Sequence, residues 1–168
     1  MSTRDYIKTL TSLKPGEMGL LRTHAGHGID TSAEAFDLFA GLWWPLRSKN
    51  QRAPQREVAW LIAKLYAAAK ITHEENAVFA RQLARCQPHS DTERERFRQR
   101  FDRLLQQPRD SLETHLSWGL RQLAQHHLPV DWEKLTDDFS IWQRRSVRRT
   151  WAEQFLGIKN TEGEEDAD

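Results

Sequence analysis

The chain has 168 residues, 38% of them apolar and seven of them tryptophan, with 25 Lys+Arg against 24 Asp+Glu and a formal charge of +1. Despite a mean hydropathy of −0.77, that composition supports one medium domain or two small helical lobes and excludes a disordered chain. The single cysteine, Cys86, excludes an internal disulfide or a cysteine-rich zinc site, and no apolar run approaches the ~18 residues of a membrane span, so a soluble protein in a reducing cytoplasm is expected.

In chain order, Tyr6, Ile7 and Leu10 mark a short first helix closed by Lys14-Pro15-Gly16. A second helix starts near Glu17, carries Met18, Leu20 and Leu21, and ends after Arg22, because His24-Ala25-Gly26-His27-Gly28 is too glycine-rich to continue it. Thr31 with Glu34 reads as a capping box, predicting a third helix over 32–44 that stops at Pro45. That helix is apolar around much of its circumference. Residues 47–56 lack apolar periodicity and include Arg52 and Arg56, which predicts a basic surface loop.

The fourth helix, from near Pro54, turns Val58, Leu61, Ile62, Leu65 and Ala69 inward and leaves Trp60 and Lys64 off the stripe. Thr72 with Glu75 forms a second box, predicting a helix with Phe79 and Leu83 on one side that ends by Pro88. The polar stretch 87–91 divides an N-terminal lobe, 1–88, from a C-terminal lobe, 89–157. A third box, Thr92 with Glu95, opens a helix with the stripe Phe97, Phe101, Leu104 and Leu105, ended by Pro108. Asp110 then caps a long helix over 111–127 with Leu112, Leu116, Leu120 and Leu123 inside, and with Trp118 and Arg121 pointing away.

Pro129 delivers the chain to the module that organises the rest, residues 130–157. Asp131 is a good N-cap and Val130 can staple onto Leu135. Leu135, Phe139 and Trp142 recur at i, i+4, i+7, and Val147, Trp151 and Phe155 at i, i+4, i+8, so two short amphipathic helices are predicted, the second closed by Gly157. The tail 158–168 reads as disordered and solvating, with Glu162, Glu164, Glu165, Asp166 and Asp168 all after Asn160; residues 1–159 hold 25 bases against 19 acids, a net of +6. The chain reads as all-α, about eight helices in two packed lobes.

The residues that stand out for function are arginines. At 100° per residue, Arg145 and Arg149 lie opposite the Val147/Trp151/Phe155 stripe and Arg148 flanks it. Arg96, Arg100 and Arg103 share one flank of their helix, with Glu95 and Asp102 on another. Signs mixed around the wheel would indicate mutual pairing; segregated signs suit a phosphate backbone. With Arg22, Arg52, Arg56 and Arg121 these make ten candidate phosphate contacts, and the same faces also suit plain solvation or an acidic protein partner. No base-reading motif accompanies them, so binding to backbone and shape is expected.

Catalytic signatures are missing: there is no phosphate-binding glycine loop, nucleophile elbow or Cys/His dyad. His24, His27, His126 and His127 lack metal-site spacing, and Asp137-Asp138, ~100° apart on a helix, read as a solvated face. A non-enzyme without metal or cofactor is expected.

Val130-Asp131-Trp132, Leu135, Asp138, Trp142 and the closing Trp151-Ala152-x-x-Phe155 resemble the end of the CasB family, the small subunit of Cascade, the type I-E CRISPR surveillance complex. Residues 16–22 are similar to that family's early Gly-x-x-Ala-x-Leu-Arg pattern, with Gly19 in the alanine place. Phe97, Phe101, Leu104, Leu105 and the pair Leu120-Arg121 extend the likeness over roughly residues 5–157. The resemblance implies a non-catalytic helical subunit, dimeric within the complex, that touches crRNA, target strand and displaced strand and stabilises the R-loop alongside the other Cascade subunits. It carries over Arg22, Arg121, Arg148 and Arg149 as family-like positions; the other arginines rest on the helical wheel. The competing reading is a helical adaptor with arginine faces for acidic partners and with Trp60 and Trp118 as exposed anchors.

Overall fold

A computed structural model gives the architecture and describes residues 2–28, 33–49 and 54–157. All extended regular structure among these is helical: α1 (Ser2–Thr11), α2 (Pro15–Thr23), α3 (Ala33–Lys49), α4 (Arg56–Ala69), α5 (Phe79–Ala84), α6 (Asp91–Gln106), α7 (Leu112–Gln125), α8 (Trp132–Ser140) and α9 (Arg145–Leu156). The all-α expectation holds, with one helix more than the approximate count. The buried side chains form one continuous cluster that draws on both sides of residue 88, from Tyr6, Ile62 and Leu83 to Phe101, Leu116 and Trp151.

The central element is α4. Its sequence is rich in alanine, leucine and other strong helix formers, and Val58 through Leu65 are buried without a break because α2, α3, α7 and α8 pack around it. A helix enclosed this way has no outward face, so Trp60 and Lys64 are inside after all. The Trp60 indole donates to the His27 carbonyl at 3.0 Å. Lys64 Nζ donates to the same carbonyl at 2.7 Å and to Glu113 Oε2 at 2.8 Å, so its charge is paired where it is buried. Trp118 is likewise buried, covered by the Phe97 ring at 5.0 Å and the Arg100 guanidinium at 4.6 Å. The adaptor reading therefore loses both tryptophans it relied on.

Indole N–H groups tie loops to this core. Trp132 donates to the Ile71 carbonyl (3.1 Å), Trp142 to Gln107 (2.8 Å) and Trp43 to Pro54 (2.6 Å). Each acceptor lies in the non-helical backbone beside a helix end, so burying a large apolar ring also satisfies a carbonyl that no helical ladder pairs.

The largest departure from expectation is at 72–78, where the capping box predicts helix. The incoming strand-like segment before α8 takes the backbone groups instead: Val130 N donates to Thr72 O, Glu74 N to Val130 O and Asp131 N to Ala77 O. His73 and Val130 form an isolated parallel bridge, and Asp131 Oδ2 accepts from Asn76 N at 2.9 Å. These long-range bonds outweigh one local capping box, and helix begins only at Phe79. Elsewhere, α3 continues through Pro45 to Lys49, leaving the Gly41 carbonyl without its helical donor and shortening the expected basic loop. α6 starts at Asp91, one residue before Thr92, and a 3₁₀ turn, Arg109–Ser111, precedes α7. The Thr31 box and Arg52 lie outside the described residues.

One glycine is required by packing. A Cβ at Gly119 of α7 would sit 2.5 Å from the Phe79 ring, which α5 drives against the Trp151 ring of α9 at 5.2 Å. The α5–α7–α9 contact thus depends on an absent methyl group.

Candidate nucleic-acid interface

α8 and α9 form as their sequence predicts. The Asp131 side chain accepts from Lys134 N at 3.0 Å as the N-cap of α8, and Gly157 closes α9 in the left-handed region at φ 74°. Beneath α9, Trp142 and Trp151 meet edge to face at 4.9 Å, and Phe155 stacks on Phe101 at 4.1 Å. Asp138 corrects the expectation of a solvated acid: it is buried, accepting from Trp151 Nε1 at 2.7 Å and from Lys134 Nζ at 2.8 Å. The indole N–H of a core tryptophan is what draws a carboxylate inward. Asp137 does stay exposed, and accepts from Thr3 Oγ1 at 2.8 Å.

The consequence for α9 is electrostatic. No acid of α8 pairs with an α9 arginine: Glu133 pairs with Arg4, Asp137 accepts from Thr3, and Asp138 accepts from Lys134 and from the Trp151 indole of α9. The first turn of α9 contains no acid, while Arg144, Arg145, Arg148 and Arg149 crowd its N-terminal half. The positive end of the helix dipole lies there too, so cations are unfavourable at this place by a few tenths of a kcal/mol each. Arg148 lies 5.5 Å from the Trp142 ring, and its buried Nε lacks a partner.

The remaining arginines divide by what holds them. Arg96, Arg103, Arg121, Arg144, Arg145 and Arg149 make no side-chain hydrogen bond or ion pair among the described residues. Arg100 stacks on Trp118, and Arg121 is one turn further along the same helix, which brings the α6 and α7 arginines into one neighbourhood. Phe97 and Phe101 of α6 stack on Phe155 of α9, so α6, α7 and α9 share an aromatic seam. Arg22 and Arg56 are elsewhere. Arg22 Nε donates to the Ala67 carbonyl at 2.8 Å near the C-terminus of α4, whereas Arg56, about 16 Å away at the other end of that helix, pairs with Glu57 at 3.3 Å. Arg144 was missed from sequence because it falls in the break between two periodic segments, where a wheel assigns no face.

Outside this region, the His24 and His27 rings meet edge to face with centroids 6.2 Å apart, and no group of three metal-ligating side chains occurs among the described residues. Burial pushes the Cys86 thiol up to about 11, against a smaller opposite pull from Arg85. Such a thiol is a poor nucleophile at neutral pH.

Fold and face together define a small all-α protein that displays unneutralised arginine over an aromatic-packed body. The sequence profile of the CRISPR-associated protein Cse2 matches residues 17–156, and the chain belongs to that family. Its fold is similar to that of M. ruber CasB, at TM-score 0.74 and 16% identity over 94% of each chain. It is similar as well to CasB from Thermus thermophilus, at 0.72 and 24% identity over 92% of this chain and 96% of the other. A chain in E. coli Cascade bound to a PAM-containing double-stranded DNA target matches at 0.65 and 18% identity, over 94% and 97%. No curated protein matches.

Proposed function

We propose that the protein is the non-catalytic small subunit of a cytoplasmic, crRNA-guided Cascade complex, dimeric within it, that holds target and displaced DNA strands through arginine–phosphate contacts and so stabilises the R-loop. Membership of the Cse2 family and the fold shared with a chain of DNA-bound E. coli Cascade support the setting. The observation that carries the DNA-contacting role is the N-terminal half of α9, where Arg144 and Arg145 sit at the unfavourable end of a helix with no acid in its first turn and Arg148 and Arg149 follow one turn on. A phosphate backbone supplies the missing negative charge. Guided complexes leave sequence reading to base pairing, so sequence-blind contacts suffice.

The test is a fluorescence-anisotropy titration of single-stranded and duplex DNA at several salt concentrations. Sequence-independent binding of about micromolar Kd at low salt, weakening as salt rises, is expected, with a loss on changing Arg121 and Arg149 to alanine. Undetectable binding at low salt refutes the reading. A metal-dependent cleavage product, abolished by chelator, would refute the non-catalytic part.

The adaptor reading keeps one supporting observation, on a different helix. Phe36 and Trp44 of α3 are 43% and 62% exposed, aromatic rings of the kind that protein contacts favour. In a multi-subunit complex the two readings describe different faces of one chain.

A further inference from the structure

Two faces of the chain lie outside the arginine surface of α9 and are complementary to each other. We infer that α3 of one copy seats in a cleft of a second copy of this chain, between α1, α2 and the C-terminus of α4, in a head-to-tail contact. This deepens the dimer proposed above and rests on that part of the reading alone.

The inserting face is one arc of α3. At 100° per residue, Glu34, Phe36, Asp37, Ala40, Gly41 and Trp44 fall within ~160° of the helix circumference. All but the half-buried Ala40 are exposed. Ala40 and Gly41 are too small to mask Trp44, so its indole stands out, with Asp37 two turns before it on nearly the same line. Glu34 and Asp37 make no side-chain hydrogen bond or ion pair among the described residues. The arc is therefore aromatic at its centre and anionic beside it.

The receiving face has the opposite charge. It is a cleft of about 740 Å³ with Ile7, Met18, Tyr66 and Ile71 among its walls, a size that takes one or two aromatic side chains. The two acids that line it are occupied: Glu133 and Glu75 face Arg4 at 3.2 and 3.8 Å. Lys8 and Lys70 line it as well and have no ion pair among the described residues. Lys70 closes α4 in the left-handed region at φ 54°, where glycine is the residue of least strain. A charge is thus kept at the cleft at a cost to the backbone.

The match is of two kinds, an indole for an apolar wall and two carboxylates for two ammonium groups. Because the two faces are different patches, the contact is heterologous, and each pair retains one free α3 and one free cleft. A patch this small gives a weak contact, with a Kd of the order of 100 μM.

The test is sedimentation velocity of the full chain at low salt, from about 10 to 500 μM, where a dimer that grows with concentration and weakens as salt rises is expected. Trp44→Ala/Asp37→Lys spoils α3, and Lys8→Glu/Lys70→Gly spoils the cleft while keeping the helix cap. Each variant alone should associate roughly tenfold more weakly with Tm level; if Tm falls, the single changes Trp44→Ala and Lys70→Gly replace them. An equal mixture of the two variants should recover the native contact and stop at the dimer, since one intact α3 then meets one intact cleft.

A native chain that stays monomeric throughout overturns the inference. So does a mixture that stays monomeric, and so does association that survives both variants. The dimer reading is tested separately by native mass spectrometry of the purified complex: a single copy of the chain refutes it, whereas two copies with intact association in the variants leave it standing and sink only the contact. None of the four substituted residues is an arginine assigned to DNA.

Discussion

Two arginine-bearing helices, α6 and α9, differ in how their charges sit on the helix dipole. α6 opens with Asp91 and Glu93 and carries Arg103 in its last turn, so its charge order follows the dipole and stabilises the helix by itself. α9 does the opposite: no acid in the first turn, arginines at 144, 145, 148 and 149, and no basic residue in the last turn. On α6, Arg103 is accounted for by the helix dipole and Arg100 by its stack on Trp118; on α9, Arg144 and Arg145 work against the dipole of the helix they open. A cost to folding that the rest of the module offsets, through Trp142, Trp151 and Asp138, points to a use outside folding.

The change expected to damage that arrangement most is Asp138→Ala, which strips the Trp151 indole and the Lys134 ammonium of their shared acceptor and so unseats α9 while leaving α6 intact. A loss of roughly 2–4 kcal/mol in denaturant unfolding is expected. Next, Gly119→Ala pushes Phe79 toward Trp151 and should cost about 1–3 kcal/mol, read as a lower Tm. Either variant retaining full stability would mean that α9 is held by something other than its aromatic seat.

The double change Arg145→Ala/Arg149→Ala sharpens the contrast, because binding and stability should move in opposite directions. DNA affinity is expected to fall about tenfold at low salt, with the log–log salt slope for single strands reduced by ~1.4, while Tm stays level or rises slightly. A fall in Tm would sink the dipole argument. The matching pair on α6, Arg96→Ala/Arg103→Ala, should weaken binding only about two- to threefold, measured in the same titration. If the α6 pair loses more than the α9 pair, the ranking of the two faces is reversed.

Much of this was legible in the sequence where local pattern and tertiary packing agree. The module 130–157 could be read down to its caps, because Asp131 and Gly157 act through neighbouring backbone groups and both stripes face one core. Arg145 and Arg149 were placed outward correctly for the same reason. Legibility failed where a distant segment intervened. The Thr72 box lost its backbone groups to Val130 and Asp131, some fifty residues away, and the stripe read on α4 could not exclude Trp60 or Lys64 because neighbours enclose that helix on several sides. Asp138 looked like a surface acid because nothing local announces a tryptophan N–H thirteen residues on. Arg22 matched a family-like position, yet its Nε is spent on the end of α4, so removing it would test helix capping together with any phosphate contact.

The indole arrangement has one further use. Trp60, Trp118, Trp132, Trp142 and Trp151 are buried and Trp43 is half-buried, whereas Trp44 stands 62% exposed on α3. A collisional quencher such as iodide will therefore extinguish the red-edge emission of Trp44 and leave the other six largely unaffected. The native protein thus carries its own optical probe of that patch: whatever docks over α3 will shield one fluorophore and shift the emission to shorter wavelength, with no label attached.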